Sequence, residues 1–211
     1  MSKVTVVGAG LAGCEAAWQL AQRGFSVDLL EMKPEKMSPA HKSEDFAELV
    51  CSNSLRGDRL ENAVGLLKEE LRRVGSLVLA CAEATRVEAG GCLAVDRQGF
   101  SKLVTEKIRS HPNITVIPGE ITEIPAEPVI IATGPLTSEP LSQAIGTYFG
   151  ADYLHFFDAA APLVTAESVD MDLAWWQSRY DRGTPDYVNC SMDKDQYLSF
   201  VRELTAAQEA E

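Results

Sequence analysis

The sequence lacks the features that would place it in several specialised classes of protein. No apolar run approaches the roughly 18 residues needed to cross a membrane, and the N-terminus lacks the basic flank and cleavage site of a signal peptide. The 5 cysteines are odd in number and widely spaced, so they fit neither a disulfide framework nor a paired zinc site. With only 3 histidines and no ligand spacing, we expect no metal site. These absences favour a cytoplasmic protein with free thiols.

Positive charge is also scarce. The chain has 19 Lys and Arg against 31 Asp and Glu, a formal net charge of −12. Because the neutralisation of phosphates drives much of the affinity for nucleic acids, this balance argues against nucleic acid as a partner of this stretch, and DNA in particular is not expected. A local basic face stays open as an alternative, since four arginines lie near one another in sequence: Arg56, Arg59, Arg72 and Arg73.

Glycine is concentrated in a pattern that predicts nucleotide binding. A strand is predicted over residues 4–7, a helix over 11–23 that Gly24 ends, and a second strand over 25–31. This βαβ unit requires a parallel sheet, so we predict an α/β, Rossmann-like fold. The turn between the first strand and the helix matches GxGxxG, and the predicted cofactor-binding residues in it are Gly8, Ala9, Gly10, Leu11, Ala12 and Gly13.

Each part of this turn has a separate expected role. Gly8 permits a sharp turn, Gly10 lets the backbone approach a diphosphate, and Gly13 allows close packing of helix and sheet. The helix N-terminus offers free N–H donors to the phosphates. Glu31 ends the second strand, where a carboxylate accepts hydrogen bonds from ribose hydroxyls and disfavours a 2′-phosphate.

A second turn is expected to approach the same ligand. Residues 129–132 predict a buried strand that runs into Thr133 and Gly134, at the edge of the sheet where ligands bind. A tight strand-to-helix turn without a ligand is the alternative. NAD and FAD place their ADP groups in the same way, so the glycine turn does not separate them.

The remaining pattern predicts further elements and two domains. Helices are predicted over 44–50, 62–74, 97–109 and 194–211, strands over 92–95, 114–117 and 120–124, and a polar loop over 51–57. The character of the sequence changes near residue 158, where aromatic residues and short polar breaks begin to alternate. We therefore expect an FAD-binding domain over residues 1–157 and the start of a second domain over 158–211.

Six segments carry a resemblance to a known family: VVGAGLAGCEAAWQLAQRGFSVDLLEM, PAHKSEDFAELVCSNSLRGD, LAVDRQGFS, IIATGPLTSEPL, FFDAAAPLV and DYVNCSM. Together they resemble the folate- and FAD-dependent tRNA (uracil-5-)-methyltransferases, TrmFO. FAELVCSNSLRG is the specific part, since the glycine turn alone fits many flavoproteins. A related family of flavoproteins installs carboxymethylaminomethyl groups on tRNA, and it is expected to show Cys-Asn-Pro where this chain has Cys51-Ser52-Asn53.

The resemblance implies a fold and an activity. The fold is a glutathione-reductase-type FAD domain with an inserted α+β substrate domain. The activity transfers the methylene carbon of 5,10-methylenetetrahydrofolate to C5 of a uracil in the T-loop of tRNA, with FAD reduced by NADH or NADPH. The family is about twice this length, so the chain is expected to be its N-terminal half. Alone, it is expected to retain FAD weakly or not at all and not to methylate tRNA.

The resemblance also implies a cysteine near the flavin, because a thiolate that adds to C6 of uracil makes C5 nucleophilic. Cys51 is the candidate, in a polar loop with Arg56 and Arg59 close enough in sequence to favour the thiolate. Burial as a small apolar side chain is the alternative. The family's second essential cysteine, in a Cys-(Leu/Val)-Pro-(Ile/Val)-Glu segment, is absent here. Packing rather than chemistry is expected of the other four cysteines, Cys14, Cys81, Cys92 and Cys190.

Three further side chains have alternative roles. His41 is expected to be a solvated loop histidine rather than a flavin contact, while Trp175 and Trp176 either stack on a base or bury one face of a helix. The competing functions are an FAD- or NAD-dependent oxidoreductase acting on a small molecule and a nucleotide-binding module without catalysis.

Overall fold

The computed structural model describes residues 2–126, 128–150, 164–178 and 184–207. Within these ranges, the strands are β1 (Lys3–Val7), β2 (Ser26–Glu31), β3 (Ser54–Gly57), β4 (Arg86–Val87), β5 (Cys92–Val95), β6 (Ile114–Pro118), β7 (Val129–Ile131), β8 (Ala174–Gln177) and β9 (Tyr187–Cys190). The α-helices are α1 (Leu11–Gln22), α2 (Ala63–Arg73), α3 (Leu77–Ala84), α4 (Arg97–Ser110), α5 (Glu139–Phe149) and α6 (Lys194–Ala206).

The main sheet is parallel, with strand order β6-β2-β1-β7. Helix α1 connects β1 to β2, which pair in register from Lys3–Ser26 to Val7–Leu30. This is the βαβ unit that the sequence predicts, and the α/β, Rossmann-like fold is confirmed. The carboxyl ends of β1, β2 and β7 meet at one edge of the sheet, which is where α/β proteins bind their ligands.

Burial along β2 alternates with a period of two, and this alternation includes its last residue. Val27, Leu29 and Glu31 are buried, while the residues between them are partly exposed. Because alternate side chains of a strand share a face, Glu31 is directed to the same side of the sheet as its two apolar neighbours. A carboxylate on a buried face needs hydrogen-bond donors, and the N–H of Ala9 in the glycine turn is one of them.

One apolar core joins the sheet to the helices around it. Helix α1 packs against β1, β2, α3 and α4, and α3 packs against α4 and β5. The largest fully buried side chains include Phe46, Phe100, Leu29, Leu77, Leu93 and Ile108. The core therefore extends from the parallel sheet to the small antiparallel sheet β3-β5-β4.

A second compact unit contains the antiparallel pair β8–β9 and helix α6. Asp193 begins α6 with a capping box, in which its side chain accepts a hydrogen bond from the Gln196 backbone and its own N–H donates to the Gln196 side chain. The expected domain boundary at residues 157 and 158 lies outside the described residues. No helix in the described part of the chain is both long enough and apolar enough to cross a membrane.

The predicted helix over residues 44–50 is wrong. Contacts distant in sequence hold its backbone in another shape: Phe46 N donates to Thr105 Oγ1 at 2.8 Å, and Ala47 N donates to the carbonyl oxygen of Ala9 at 2.9 Å. Ala47 has a positive φ of 51°. A positive φ lies outside the right-handed helical region, so the segment cannot continue as a helix through Ala47.

Other elements also differ from the sequence-based expectations. The predicted strand over 120–124 does not form, because β6 ends at Pro118 and Gly119 turns the chain with a φ of 130°. Part of the predicted polar loop over 51–57 is strand β3, which pairs with β5. Helices α3 and α5 were not predicted. Helix α3 has no polar face to give a period, since Leu77, Leu79, Cys81 and Ala82 are all buried.

Candidate functional site

A cleft of about 330 Å³ lies at the carboxyl ends of β1, β2 and β7. Its volume falls in the range of small-molecule sites, about 300–1,000 Å³. The glycine turn, the end of β2 and the turn after β7 form three of its walls. Of the residues predicted to bind a cofactor, those that line it are Gly8, Ala9, Gly10, Leu11, Ala12, Glu31, Thr133 and Gly134.

The three glycines of the turn meet different surroundings. Gly8 has a φ of 95°, and a Cβ there would lie 2.9 Å from the Ala132 carbonyl oxygen. A Cβ on Gly13 would lie 1.7 Å from the carbonyl oxygen of Gly8, so only glycine allows α1 to pack this closely on the turn. A Cβ on Gly10 would meet no described atom within 4 Å. Gly8 and Gly13 are thus required by packing, whereas Gly10 leaves open space beside the backbone.

The first turn of α1 leaves its backbone donors uncapped. Gly10 is the N-cap residue, and among the described residues no side chain accepts a hydrogen bond at this cap. The first N–H groups of a helix have no partner within the helix and carry partial positive charge. Their position beside the open space at Gly10 makes a site suited to an anion.

Glu31 holds the glycine turn in place. Its carboxylate accepts a hydrogen bond from Ala9 N at 2.6 Å through Oε2 and one from Lys33 N at 3.0 Å through Oε1. The residue is 7% exposed and lines the cleft. Since a carboxylate has about four acceptor sites, two bonds to the backbone leave capacity for a ligand's hydroxyl groups.

The segment from His41 to Val50 forms a further wall of the cleft. Ala47 N donates to the carbonyl oxygen of Ala9 at 2.9 Å, so Ala9 is held through both its N–H and its C=O. The ammonium of Lys33 is buried and donates to the carbonyl oxygens of Ser43 and Asp45. Sequence reasoning missed Lys33, Ala47 and the cleft-lining Glu48, because a buried lysine and a left-handed alanine have no local sequence signal.

Cys51 follows the cleft wall but is not part of its lining. It is half-buried and comes directly after Val50, which does line the cleft. Next to it, Asn53 anchors the loop, with its side chain donating to the Val95 carbonyl at 3.0 Å and its own carbonyl accepting from Val95 N. The loop that carries Cys51 is therefore fixed to β5 a short distance from the cleft.

The other cysteines differ in their surroundings. Cys14 and Cys81 are buried as expected, and burial raises the pKa of Cys81 to about 11 and that of Cys14 well above its ordinary value, with the Glu31 charge adding to the latter. Cys92 is only partly buried. Cys190 is exposed, so the expectation that it packs inside the second domain is wrong. Trp175 and Trp176 lie on strand β8 rather than on a helix, and both are exposed.

His41 lines the cleft and is partly buried, contrary to the expected solvated loop residue. Ser38 Oγ accepts from the N–H groups of Ala40 and His41, and its own proton is therefore available to His41 Nδ1 at 2.6 Å. Burial lowers the pKa of His41, and the nearby Lys33 ammonium adds to the effect. Both features favour a neutral imidazole.

Two of the four arginines of the suggested basic face are neutralised by ion pairs. Arg72 pairs with Asp58 and Glu83, each at 2.6 Å, and Arg73 pairs with Glu69 at 3.1 Å. Within the described ranges, Arg56 and Arg59 have no ion pair. No group of three or more His, Cys, Asp or Glu side chains among the described residues is arranged to hold a metal ion.

Comparison with known proteins gives close relatives. A sequence model of the family described as glucose inhibited division protein A matches residues 3–211. The methylenetetrahydrofolate–tRNA-(uracil-5-)-methyltransferase TrmFO of Heliobacterium modesticaldum is 60% identical, over 97% of this chain and 47% of that protein. The TrmFO of Lactobacillus helveticus is 58% identical, over 99% of this chain and 51% of that protein. The chain thus spans about half the length of the curated relatives it matches.

Similarity to solved structures is weaker. The GidA-related protein from Thermus thermophilus aligns with a TM-score of 0.38 and 17% identity, covering 64% of this chain and 53% of that chain. A similarity this low adds nothing to the topology described above.

The contrast between Gly10 and Gly13 predicts two different outcomes of the same substitution. Gly13→Ala places a methyl group 1.7 Å from a backbone oxygen and should destabilise the fold by more than about 3 kcal/mol. Gly10→Ala meets open space and should lower the free energy of unfolding by no more than about 1 kcal/mol, the cost of alanine at an N-cap. Urea unfolding followed by circular dichroism measures both. Equal effects of the two substitutions would contradict the geometry described here.

Proposed function

Since the chain belongs to the glucose inhibited division protein A family, we propose that it forms the FAD-binding part of a tRNA methyltransferase. In this proposal the whole enzyme transfers the methylene carbon of 5,10-methylenetetrahydrofolate to C5 of a T-loop uracil. The observation that carries the proposal is the uncapped N-terminus of α1 beside the cleft, with Glu31 at the end of β2. The relatives contribute the reaction, because their names state it.

The residues of the cleft fit the ADP half of FAD. The N–H groups of Leu11, Ala12 and Gly13 would bind the diphosphate, which can approach because Gly10 has no Cβ. The remaining acceptor sites of Glu31 would bind the hydroxyls of the ribose. Thr133 and Gly134 would contact the cofactor from the opposite wall.

The charge of Glu31 also disfavours NADPH as the ligand of this cleft. A buried carboxylate beside a ribose repels a 2′-phosphate, so the cleft fits FAD and not NADPH. NADH or NADPH would act as reductant from outside this cleft. When bound, FAD would supply the electrons that convert the transferred carbon to a methyl group, and the protein supplies position and electrostatics.

We assign to Cys51 a functional thiol near the flavin. A thiolate that adds to C6 of uracil forms a C–S bond and moves an electron pair to the C4 carbonyl oxygen, which makes C5 nucleophilic. Cys51 serves either as this nucleophile or as an auxiliary thiol. Its support is its place next to the cleft-lining Val50, in a loop that Asn53 fixes to β5.

The partners of the whole enzyme follow from the same premise. The tRNA substrate would bind largely through the part of the enzyme that corresponds to the other half of the relatives, since this chain carries a net charge of −12. Residues 158–211 would begin the inserted substrate domain, and residues 1–157 would form the FAD-binding domain. A tRNA-modifying enzyme of this kind works in the cytoplasm.

Relatives that share 58–60% identity and the methyltransferase name favour this function over a general oxidoreductase or a non-catalytic module.

Titration with FAD tests the cofactor. Quenching of flavin fluorescence should saturate with the wild-type chain co-expressed with the remaining half of the Heliobacterium relative. In this complex, Gly10→Ala should raise the Kd at least about tenfold because its methyl group occupies the path of the diphosphate. Lys102→Ala, on the exposed side of α4, is the matched control and should leave the Kd unchanged. Absence of saturable quenching by this complex, when it is folded, would overturn the FAD assignment.

Carbon transfer tests the reaction. The chain, co-expressed with the remaining half of the Heliobacterium relative, should incorporate labelled methylene carbon into the T-loop uracil of a tRNA transcript. Cys51→Ser should lower incorporation at least about tenfold, since serine does not form the thiolate. Cys190→Ser, at an exposed position, should not lower it. Incorporation by Cys51→Ser at the wild-type rate would remove Cys51 from the chemistry, and no label in tRNA with a folded, flavin-loaded complex would contradict the function.

A further inference from the structure

Lys33 is a buried cation in the wall of the cleft. Its side chain is 4% exposed, and the residue lines the cleft beside Glu31. A charged ammonium is seldom buried to this degree unless other groups compensate for the lost water. The proposed contacts to the diphosphate and the ribose do not use this charge.

The ammonium reaches a single stretch of chain. It donates to the carbonyl oxygen of Ser43 at 3.2 Å and to that of Asp45, and it lies 4.0 Å from Glu48 Oε2. Two of the three ammonium donors are thus bonded to backbone carbonyls, and the Glu48 carboxylate lies within ion-pair distance without a hydrogen bond. Lys33 therefore ties the end of β2 to residues 43–48, which lack helix and strand.

The backbone of Lys33 reaches the other side of the site. Its N–H donates to Glu31 Oε1 at 3.0 Å, and the same carboxylate accepts from Ala9 N through Oε2. Ala9 is in turn held by Ala47 N, which lies in the stretch that the ammonium fixes. The glycine turn is thus held by a closed ring of contacts that passes through Lys33, Glu31, Ala9 and Ala47.

The conformation of Ala47 indicates why such a tie is needed. Its φ of 51° is unfavourable for a residue with a Cβ, and such conformations persist only where the surroundings fix them. Two other contacts help: Phe46 N donates to Thr105 Oγ1 at 2.8 Å, and Ser101 Oγ lies 3.4 Å from the Ala47 carbonyl. The Lys33 ammonium binds the same segment a few residues earlier, at Ser43 and Asp45.

We propose that Lys33 is a positioning residue of the cofactor site, which acts by holding residues 43–48 so that Ala47 and Glu31 fix Ala9 from both sides. Its charge also offsets the carboxylates of Glu31 and Glu48 in a cleft proposed to receive a diphosphate. The identity of that ligand rests on the proposed function, but the positioning itself does not.

Hydrogen exchange of the ligand-free chain tests the positioning directly. Lys33→Met has similar length and no donors, so the amides of Ala9 and Ala47 should exchange at least about tenfold faster while those in the centre of β1 are unchanged. Lys33→Arg restores the charge and the donors and should return both rates to within about threefold of wild type. Lys3→Met removes an exposed ion pair with Asp28 and is the matched control.

Titration with FAD of the chain in complex with the remaining half of the Heliobacterium relative measures the consequence for cofactor binding. Lys33→Met should raise the Kd for FAD at least about tenfold, and Lys33→Arg should restore it. If Lys33→Met does not fold, Lys33→Leu takes its place, because it also has no donor and no charge. Unchanged exchange at Ala9 and Ala47 in the folded neutral variant overturns the proposal. Failure of the wild-type complex with the remaining half of the Heliobacterium relative to bind FAD contradicts the proposed function instead, and the exchange result still decides the role of Lys33.

Discussion

The hydrogen bond between the Glu31 carboxylate and the Ala9 amide is the contact on which the site depends. It joins the end of β2 to the turn after β1 at 2.6 Å, inside a buried region. Charge-assisted bonds of this kind are short and strong, and the loss of one partner would leave the other buried without compensation. Because Ala47 holds the carbonyl of the same residue, the turn is fixed before any ligand arrives.

This arrangement assigns different tasks to neighbouring amides. The Ala9 amide is used internally, so the donors left for an anion are those of the first turn of α1. Gly13 brings that turn close to the sheet, and Gly10 leaves the space beside it open. A preformed set of donors costs less to bind a ligand than one that must be ordered on binding. The rigidity of the turn would therefore favour binding at the proposed diphosphate site.

The sequence was sufficient for the parts of the site that rest on local pattern. The short apolar strands and the GxGxxG spacing predict the parallel sheet, the turn and the place of Glu31. The sequence was insufficient where contacts distant in sequence determine the backbone conformation. Residues 44–50 have helical composition, but bonds to Thr105 and Ala9 give them another shape. Lys33 likewise has no apolar pattern around it, and its role depends on carbonyls 10 and 12 residues away.

The most direct test of the diphosphate site is a titration of the ¹⁵N-labelled chain with ADP, followed by amide chemical shifts. ADP carries the diphosphate and ribose without the flavin, so it isolates the proposed contact. We predict that the largest shifts occur at the amides of Leu11, Ala12 and Gly13, with a smaller change at Ala9 because Glu31 keeps its bond. Shifts centred away from the first turn of α1, or none at millimolar ADP, would contradict this site.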